Sequence, residues 1–248
     1  MRYSPLTLAA VAGLVIAPDL NAQMGLTGDR IPTDSGDLIV HPISHATFAM
    51  GWDDKTIYVD PVGGAEAFEG LPTPDLILVT DIHGDHLNVE TLERVVGDNS
   101  VIVAPAAVIE QLPSALGSRA RELDNGSEMS LLGLSVLAIP MYNLTQDRLQ
   151  YHDKGRGNGY VVTVGGQRVY ISGDTEDIPE MRTLEGIDVA FICFNLPYTM
   201  TEDQAASAVL EFAPRIVYPY HYQGSDVNEF ADLVGENERI DVRIGAWY

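Results

Sequence analysis

The chain has 248 residues, of which 46% are hydrophobic, and this is enough for one domain with a substantial core. Its formal net charge of -22 at pH 7 argues against nucleic acid and anionic membrane surfaces as partners. The single cysteine, Cys193, excludes an internal disulfide, and its apolar neighbours in "VAFICFN" predict a buried core residue.

The N-terminus has the pattern of a cleaved export signal. Arg2 supplies a basic start, residues 6–17 are apolar, and Ala22 is a small residue at a cleavage position. The apolar run is shorter than the ~20 residues that a membrane-spanning helix needs. We therefore expect a signal peptide at residues 1–22, a periplasmic or secreted protein without a membrane anchor, and one folded domain at residues 31–248. A buried N-terminal helix is the alternative.

Strands and helices alternate along the first half of the domain. Residues 38–50 and 55–62 predict two strands joined by a turn, and "DLILVT" at residues 75–80 predicts a strand buried on both faces. Asn88 is placed to cap a short helix that stops at Gly97. A further strand is expected at residues 100–105, and Pro105 opens a helix that runs to about Ala115.

The second half continues the alternation. Strands are predicted at residues 134–143 and 159–174, the latter turning at Gly165-Gly166. A helix beginning with a Thr201–Gln204 capping box, a strand at residues 215–222 and a helix at residues 228–234 follow. The pattern indicates one α/β domain with layered sheets and outer helices.

Four potential metal ligands follow the strand "DLILVT" within six positions: Asp81, His83, Asp85 and His86. Gly84 lets the turn between them tighten, so that side chains on both sides of it face one point. Imidazoles and carboxylates without thiolates suit zinc, manganese or iron. A solvated polar loop is the alternative.

The turn "DIHGDH" resembles the H-x-H-x-D-H signature of the metallo-β-lactamase fold, with Asp81 in place of the first histidine. The segments "SHATF" and "IYVDPV" are similar to the paired strands that precede this motif in the lactonase-like branch. "YISGDTED" and "YPYHYQG" match the later family motifs, which fall on Asp174 and His221. The resemblance implies an α/β fold, a four-layer αββα sandwich with metal at one edge between the sheets.

The resemblance also implies the ligands and the cofactor. Zn²⁺, as one or two ions, is expected, with Mn²⁺ or Fe²⁺ as alternatives. One metal site is complete, and the other lacks the family's third histidine. The six implied ligands are Asp81, His83, Asp85, His86, Asp174 and His221.

The irregular site leaves several roles open. His152 either replaces the missing ligand or donates a proton to the leaving group. Tyr142 and Asn143 occupy the region of the missing histidine and, with His45, are expected to bind substrate. Asp81 is either a ligand or a hydrogen-bond partner of one.

Neighbouring residues carry further expectations. Asp60 either supports the metal site through a hydrogen bond or forms a turn. Residues 195–198 either line the pocket or form a plain turn, and "GRGNGY" is expected to be a flexible loop over the cleft. His41 is expected to be structural.

The implied chemistry is metal-assisted hydrolysis of an ester, lactone or phosphoester in a small-molecule substrate. A metal-bound hydroxide, oriented by Asp85, would attack the substrate. The charge of Asp81 predicts weaker binding of a second metal and turnover that rises toward alkaline pH. The alternatives are a non-catalytic metal-binding member of the fold and a di-iron redox member.

Overall fold

The computed structural model describes residues 25–235 and 239–248, and the predicted signal peptide lies outside them. Two seven-stranded sheets pack face to face, with helices on their outer sides. The predicted αββα sandwich is therefore confirmed. Within the described ranges, no helix is long and apolar enough to cross a bilayer.

The first sheet contains the N-terminal strands in chain order. Strands β1 to β4 pair antiparallel, and β4 to β7 pair parallel. The seven strands are β1 (Asp29–Pro32), β2 (Asp37–Ser44), β3 (Thr47–Trp52), β4 (Lys55–Val59), β5 (Leu76–Leu78), β6 (Val101–Ala104) and β7 (Ala120–Glu122).

The second sheet contains the remaining strands, also in chain order. Strands β8 to β11 pair antiparallel, and β11 to β14 pair parallel. The strands are β8 (Glu128–Leu131), β9 (Leu134–Met141), β10 (Gly157–Val164), β11 (Gln167–Ile171), β12 (Val189–Cys193), β13 (Ile216–Tyr220) and β14 (Asp241–Val242).

In the described residues, six α-helices accompany the sheets, and the predicted caps are present. The side chain of Asn88 accepts a hydrogen bond from Thr91 N, and Thr201 and Gln204 form the reciprocal capping box. The helices are α1 (Val89–Val95), α2 (Ala106–Ile109), α3 (Ser114–Gly117), α4 (Pro179–Arg182), α5 (Glu202–Phe212) and α6 (Val227–Val234).

Alternation along the strands divides the core into two clusters. Leu76 and Leu78 of β5 face the second sheet, whereas Ile77 faces the helices α1 to α3, so β5 is buried on both faces as predicted. Between the sheets, the rings of Phe48 and Phe191 stack with centroids 4.2 Å apart. Trp247 packs edge-on against both rings and fixes the C-terminal segment there.

Three local predictions are wrong. The predicted strand at residues 38–50 is a hairpin of β2 and β3, because His45 adopts a left-handed conformation with φ of +52°. The helix expected from Pro105 to Ala115 is broken into α2 and α3, because Pro113 cannot continue a helix.

The third wrong prediction is the flexible loop "GRGNGY". Its residues from Gly157 onward form the buried start of β10. A Cβ atom at Gly159 would lie 2.8 Å from the carbonyl oxygen of Ser172, so only glycine allows the neighbouring backbone to approach this closely. The segment is therefore a fixed part of the sheet.

Candidate metal centre

The predicted ligands converge at one edge of the sandwich, just beyond the carboxyl ends of parallel strands. His86 follows β5, Asp174 follows β11, and His221 follows β13. This edge of the sandwich opens into a cavity of about 390 Å³. The residues that line it are His45, His83, Asp85, Tyr151, His152, Asp174, Asn195, Tyr198, His221 and Gln223.

One half of the centre, which we call the four-ligand half, consists of Asp85, His86, Asp174 and His221. The Nε2 atoms of His86 and His221 lie 3.3 and 3.4 Å from the two carboxylate oxygens of Asp174. Asp85 closes the group, with its Oδ2 atom 3.3 Å from His221 Nε2 and its Oδ1 atom 4.0 Å from His86 Nε2. Two imidazoles and two carboxylates therefore face one point.

The imidazole of His86 is held in orientation from behind. Its Nδ1 atom lies 2.8 Å from Asp60 Oδ2 and 3.0 Å from the hydroxyl of Thr80. Thr80 also donates from its backbone N–H and its hydroxyl to the Asp60 carboxylate. Because Asp60 accepts from Nδ1, the Nε2 atom of His86 points into the site and presents its lone pair there when the imidazole is neutral. The hydrogen bond that the sequence suggested for Asp60 is present.

Burial and the neighbouring charges act in opposite directions on these groups. Burial disfavours ionisation of Asp174, but the His221 and His86 imidazoles outweigh it and hold the pKa of Asp174 well below its usual range. Burial also lowers the pKa of His86, but the carboxylates of Asp174 and Asp60 outweigh it and raise that pKa well above its usual value. Asp174 is therefore held in its ionised form, as a metal ligand must be.

Three buried atoms of this half have no hydrogen-bond partner, His86 Nε2, Asp174 Oδ1 and His221 Nδ1. Buried polar atoms are rarely left unpaired, and such an exception marks an ion or another functional contact. Mixed imidazole and carboxylate donors fit Zn²⁺, Mn²⁺ or Fe²⁺. The residues of the four-ligand half therefore fit a divalent metal ion.

The other half, which we call the arginine half, consists of Asp81, His83, His152 and Arg156. Candidate ligand atoms of Asp81, His83 and His152 lie within 4.8 Å of one another. However, Arg156 binds both oxygens of the Asp81 carboxylate, with Nε 3.1 Å from Oδ1 and a terminal nitrogen 2.9 Å from Oδ2. The charge that Asp81 adds to the site is thus paired with a guanidinium.

The side chain of His152 points into the site, as its predicted role as a replacement ligand required. It is buried, and its Nε2 atom lies 3.3 Å from Asp174 Oδ2. His45 is also in the site: its Nε2 atom lies 3.3 Å from Asp85 Oδ2, and its Nδ1 atom lies 2.6 Å from the hydroxyl of Tyr248. Both histidines line the cavity.

Two predicted substrate-binding residues lie elsewhere. Neither Tyr142 nor Asn143 is among the described residues that line the cavity. The Tyr142 hydroxyl donates to Glu180, and the Asn143 amide donates to the backbone oxygens of Arg148 and Tyr198. Both side chains are occupied in supporting the loop around the site.

Three further residues can be placed relative to the cavity. Asn195 and Tyr198 line the cavity, whereas His41 lies on β2 and accepts a hydrogen bond from Thr27 N. Sequence reasoning missed the roles of Arg156 and Tyr248. The arginine sits in "GRGNG", where the glycines suggested mobility, and a basic residue 75 positions from Asp81 was the only available signal.

The comparisons with known proteins decide the family. The sequence model of the β-lactamase superfamily domain matches residues 40–221, which is most of the chain. The chain belongs to the β-lactamase superfamily. A UPF0173 metal-dependent hydrolase of Pyrococcus abyssi is 29% identical over 215 residues, covering 81% of this chain and 93% of the relative.

Solved structures agree with this membership. A protein of Parabacteroides distasonis described as a metal-dependent hydrolase is 39% identical, with a TM-score of 0.81, over 88% of this chain and 98% of that one. A metallo hydrolase from Ignicoccus hospitalis shares the fold at 23% identity, with a TM-score of 0.71, over 84% of this chain and 94% of that one. The chain is a metal-dependent hydrolase of the metallo-β-lactamase fold.

Proposed function

We propose that this hydrolase cleaves a carboxylic ester or lactone in a small uncharged molecule. The observation that carries the proposal is the lining of the cavity. No lysine or arginine is among the described residues that line it, and its outer wall includes Tyr151 and Tyr198, whose rings meet edge to face at 5.1 Å. Such a wall favours an apolar or aromatic group on the substrate.

The basic side chains around the cavity support an uncharged substrate rather than a phosphoester. Arg148 is paired with Glu176 at 2.6 Å, and Lys154 is paired with Glu180 at 2.8 Å. Arg156 is committed to Asp81. Phosphate recognition usually uses arginine or lysine side chains that point at the anion.

The side chains around the centre have distinct roles in this proposal. A divalent cation, for which zinc is the expected identity, supplies Lewis-acid activation of water and of the substrate carbonyl. Asp85, the ligand most open to solvent, orients the attacking water and accepts its proton. His152 lines the cavity without belonging to the four-ligand half, and it donates the proton to the leaving oxygen.

The test is a matched substrate panel with a matched pair of variants. Purified enzyme is assayed on aryl esters, lactones and phosphodiesters that share one leaving group. Tyr198 and Leu196 are equally exposed, at 47%, but only Tyr198 lines the cavity. We expect ester or lactone turnover, with a KM several-fold higher in Tyr198→Ala and unchanged in Leu196→Ala. Faster cleavage of the phosphodiester would contradict the proposal.

We also propose that the enzyme works outside the cytoplasm on a diffusible small molecule, without nucleic acid or membrane partners. The N-terminal pattern of residues 1–22 and the charge of -22 support this. The measurement is the mass of the mature N-terminus together with cell fractionation. Recovery of the uncleaved chain in the cytoplasm would overturn the export proposal and leave the proposed chemistry intact.

A further inference from the structure

In the arginine half, both oxygens of the Asp81 carboxylate are engaged by a cation of the chain itself. Both carboxylate oxygens accept from Arg156 in a bidentate ion pair, and the Asp81 side chain is fully buried. Arg156 also donates to the backbone oxygen of Tyr151 at 2.7 Å, which fixes the guanidinium in this position. Paired N–H···O bonds of this kind are among the strongest and most directional in proteins.

His83 is engaged in the same cluster at both ring nitrogens. Its Nδ1 atom lies 2.8 Å from Asp81 Oδ2, and its Nε2 atom lies 3.4 Å from a terminal nitrogen of Arg156. An ionised carboxylate only accepts, so Nδ1 carries a proton and donates to Asp81. The guanidinium then faces the other nitrogen. Neither nitrogen of His83 directs a lone pair toward the position of a second ion.

The four-ligand half shows the opposite arrangement. His86 donates backward to Asp60, and its Nε2 atom makes no hydrogen bond and faces the other ligands of this half. Asp174 Oδ1 is likewise buried without a hydrogen bond. These atoms of the four-ligand half remain open to a metal ion. Those of Asp81 and His83, in contrast, are engaged by the guanidinium of Arg156.

A guanidinium cannot lose its proton near neutral pH, so its charge is permanent. A divalent ion between Asp81, His83 and His152 would sit beside that charge and would compete with the guanidinium for the Asp81 carboxylate. We propose that Arg156 takes the place of the second metal ion, so that the hydrolase holds one divalent ion, in the four-ligand half. This rests on the metal-dependent chemistry and is independent of the substrate proposed above.

Metal stoichiometry tests the inference directly. Apoprotein is titrated with Mn²⁺, and bound ions are counted by calorimetry and elemental analysis. Electron paramagnetic resonance separates isolated ions from the coupled pairs that form at the ~3.5–4 Å spacing of two-metal sites. We expect one equivalent and the signal of isolated ions. Two equivalents of comparable affinity would overturn the inference alone, whereas no bound metal would overturn the proposed function as well.

The variant Arg156→Gln sharpens the test because it removes the charge and frees Asp81 and His83. We expect it to bind a second equivalent of Mn²⁺ and to show a coupled signal. Arg148→Gln is the matched control, since Arg148 has a similarly buried side chain paired with a buried carboxylate, that of Glu176. It should bind one equivalent. A folded Arg156→Gln protein that still binds one equivalent would show that Arg156 does not exclude the second ion. If that variant fails to fold, the wild-type count decides.

Discussion

The two halves of the metal centre are built from similar residue types, yet they differ in what occupies their donor atoms. In the four-ligand half, His86 Nε2 and Asp174 Oδ1 are buried without a hydrogen bond and face only other candidate ligands. In the arginine half, Asp81 is bound on both oxygens by Arg156. The difference shows that residues of the ligand types can be engaged by a cation of the chain instead of a metal ion.

The halves also differ in how the backbone is arranged around them. Asp60 and His221 adopt left-handed conformations, with φ of +43° and +49°, as does the neighbouring His45. Non-glycine residues in this region cost on the order of 1–3 kcal/mol each and persist where the surrounding structure over-determines them. Strain is therefore stored around the four-ligand half, where exact placement of donors matters for binding a cation.

The largest expected effect comes from deleting a ligand of the four-ligand half. His86→Ala or His221→Ala should abolish metal binding and hydrolysis, with a loss greater than the roughly 10–100-fold that a supporting residue costs. Elemental analysis and steady-state turnover are the measurements. His41→Ala is the control, because His41 contacts Thr27 and no ligand. Wild-type metal content in either ligand variant would break the assignment.

Removing the support behind His86 should have a smaller effect. Asp60→Asn keeps the shape but weakens acceptance from His86 Nδ1, now at 2.8 Å. We expect metal affinity to fall roughly 10–100-fold, measured by competition with a chelator of known affinity. The retained fold is checked by circular dichroism. Unchanged affinity would mean that Asp60 holds only the backbone of Thr80.

Metal binding to the four-ligand half should depend on pH, because a proton must leave His86 before a metal ion binds there. In the metal-free protein, Asp174 and Asp60 overcome burial and raise the pKa of His86 well above its usual value, which favours a proton on this imidazole. A metal must displace that proton. Affinity should therefore rise with pH, about tenfold per pH unit for each proton released, until the pH exceeds the raised pKa.

The raised pKa of His86 also determines whether the stability of the metal-free fold rises or falls with pH. The contribution of protonated His86 to the metal-free fold is complete below its unfolded pKa of about 6.5 and is lost as pH rises through the raised folded value. Calorimetry in buffers of different ionisation enthalpy counts the protons released. Metal affinity that is flat between neutral and alkaline pH would argue against His86 as the ligand that loses a proton.

The smallest effect is expected at the outer edge of the four-ligand half. Tyr248→Phe removes the hydroxyl that lies 2.6 Å from His45 Nδ1, a hydrogen bond worth about 0.5–1.5 kcal/mol. We expect a reduction of roughly 2–10-fold in kcat/KM with full metal content. Tyr222→Phe is the control, because the Tyr222 ring packs against Tyr248 and Phe194. Equal effects of the two variants would show that the hydrogen bond between Tyr248 and His45 does not contribute to turnover.

The placement of the residues of the four-ligand half could be anticipated from the sequence because its signals are local. Asp85 and His86 share one turn after a buried strand, and Asp174 and His221 each follow a strand that could be recognised from its apolar run. Each strand end could thus be placed by itself. The family resemblance then supplied the only long-range information, which is that these strand ends meet.

The arginine half was harder because its decisive contact is not local. Arg156 and Asp81 are 75 residues apart, and periodicity does not report which side chains pair across two sheets. The glycines beside Arg156 also suggested a mobile loop, although Gly157 allows close packing at the start of β10 and Gly155 adopts a left-handed conformation with φ of +89°. The hairpin at His45 was missed for a related reason, since no glycine marks its left-handed turn residue.

Anomalous diffraction tests the contrast between the halves most directly. Crystals of the hydrolase soaked with excess Zn²⁺ would be measured on both sides of the zinc absorption edge. The account predicts one peak, at about 2.0–2.1 Å from the Nε2 atoms of His86 and His221, with Arg156 still paired to Asp81. A second peak of comparable height between Asp81, His83 and His152 would contradict it.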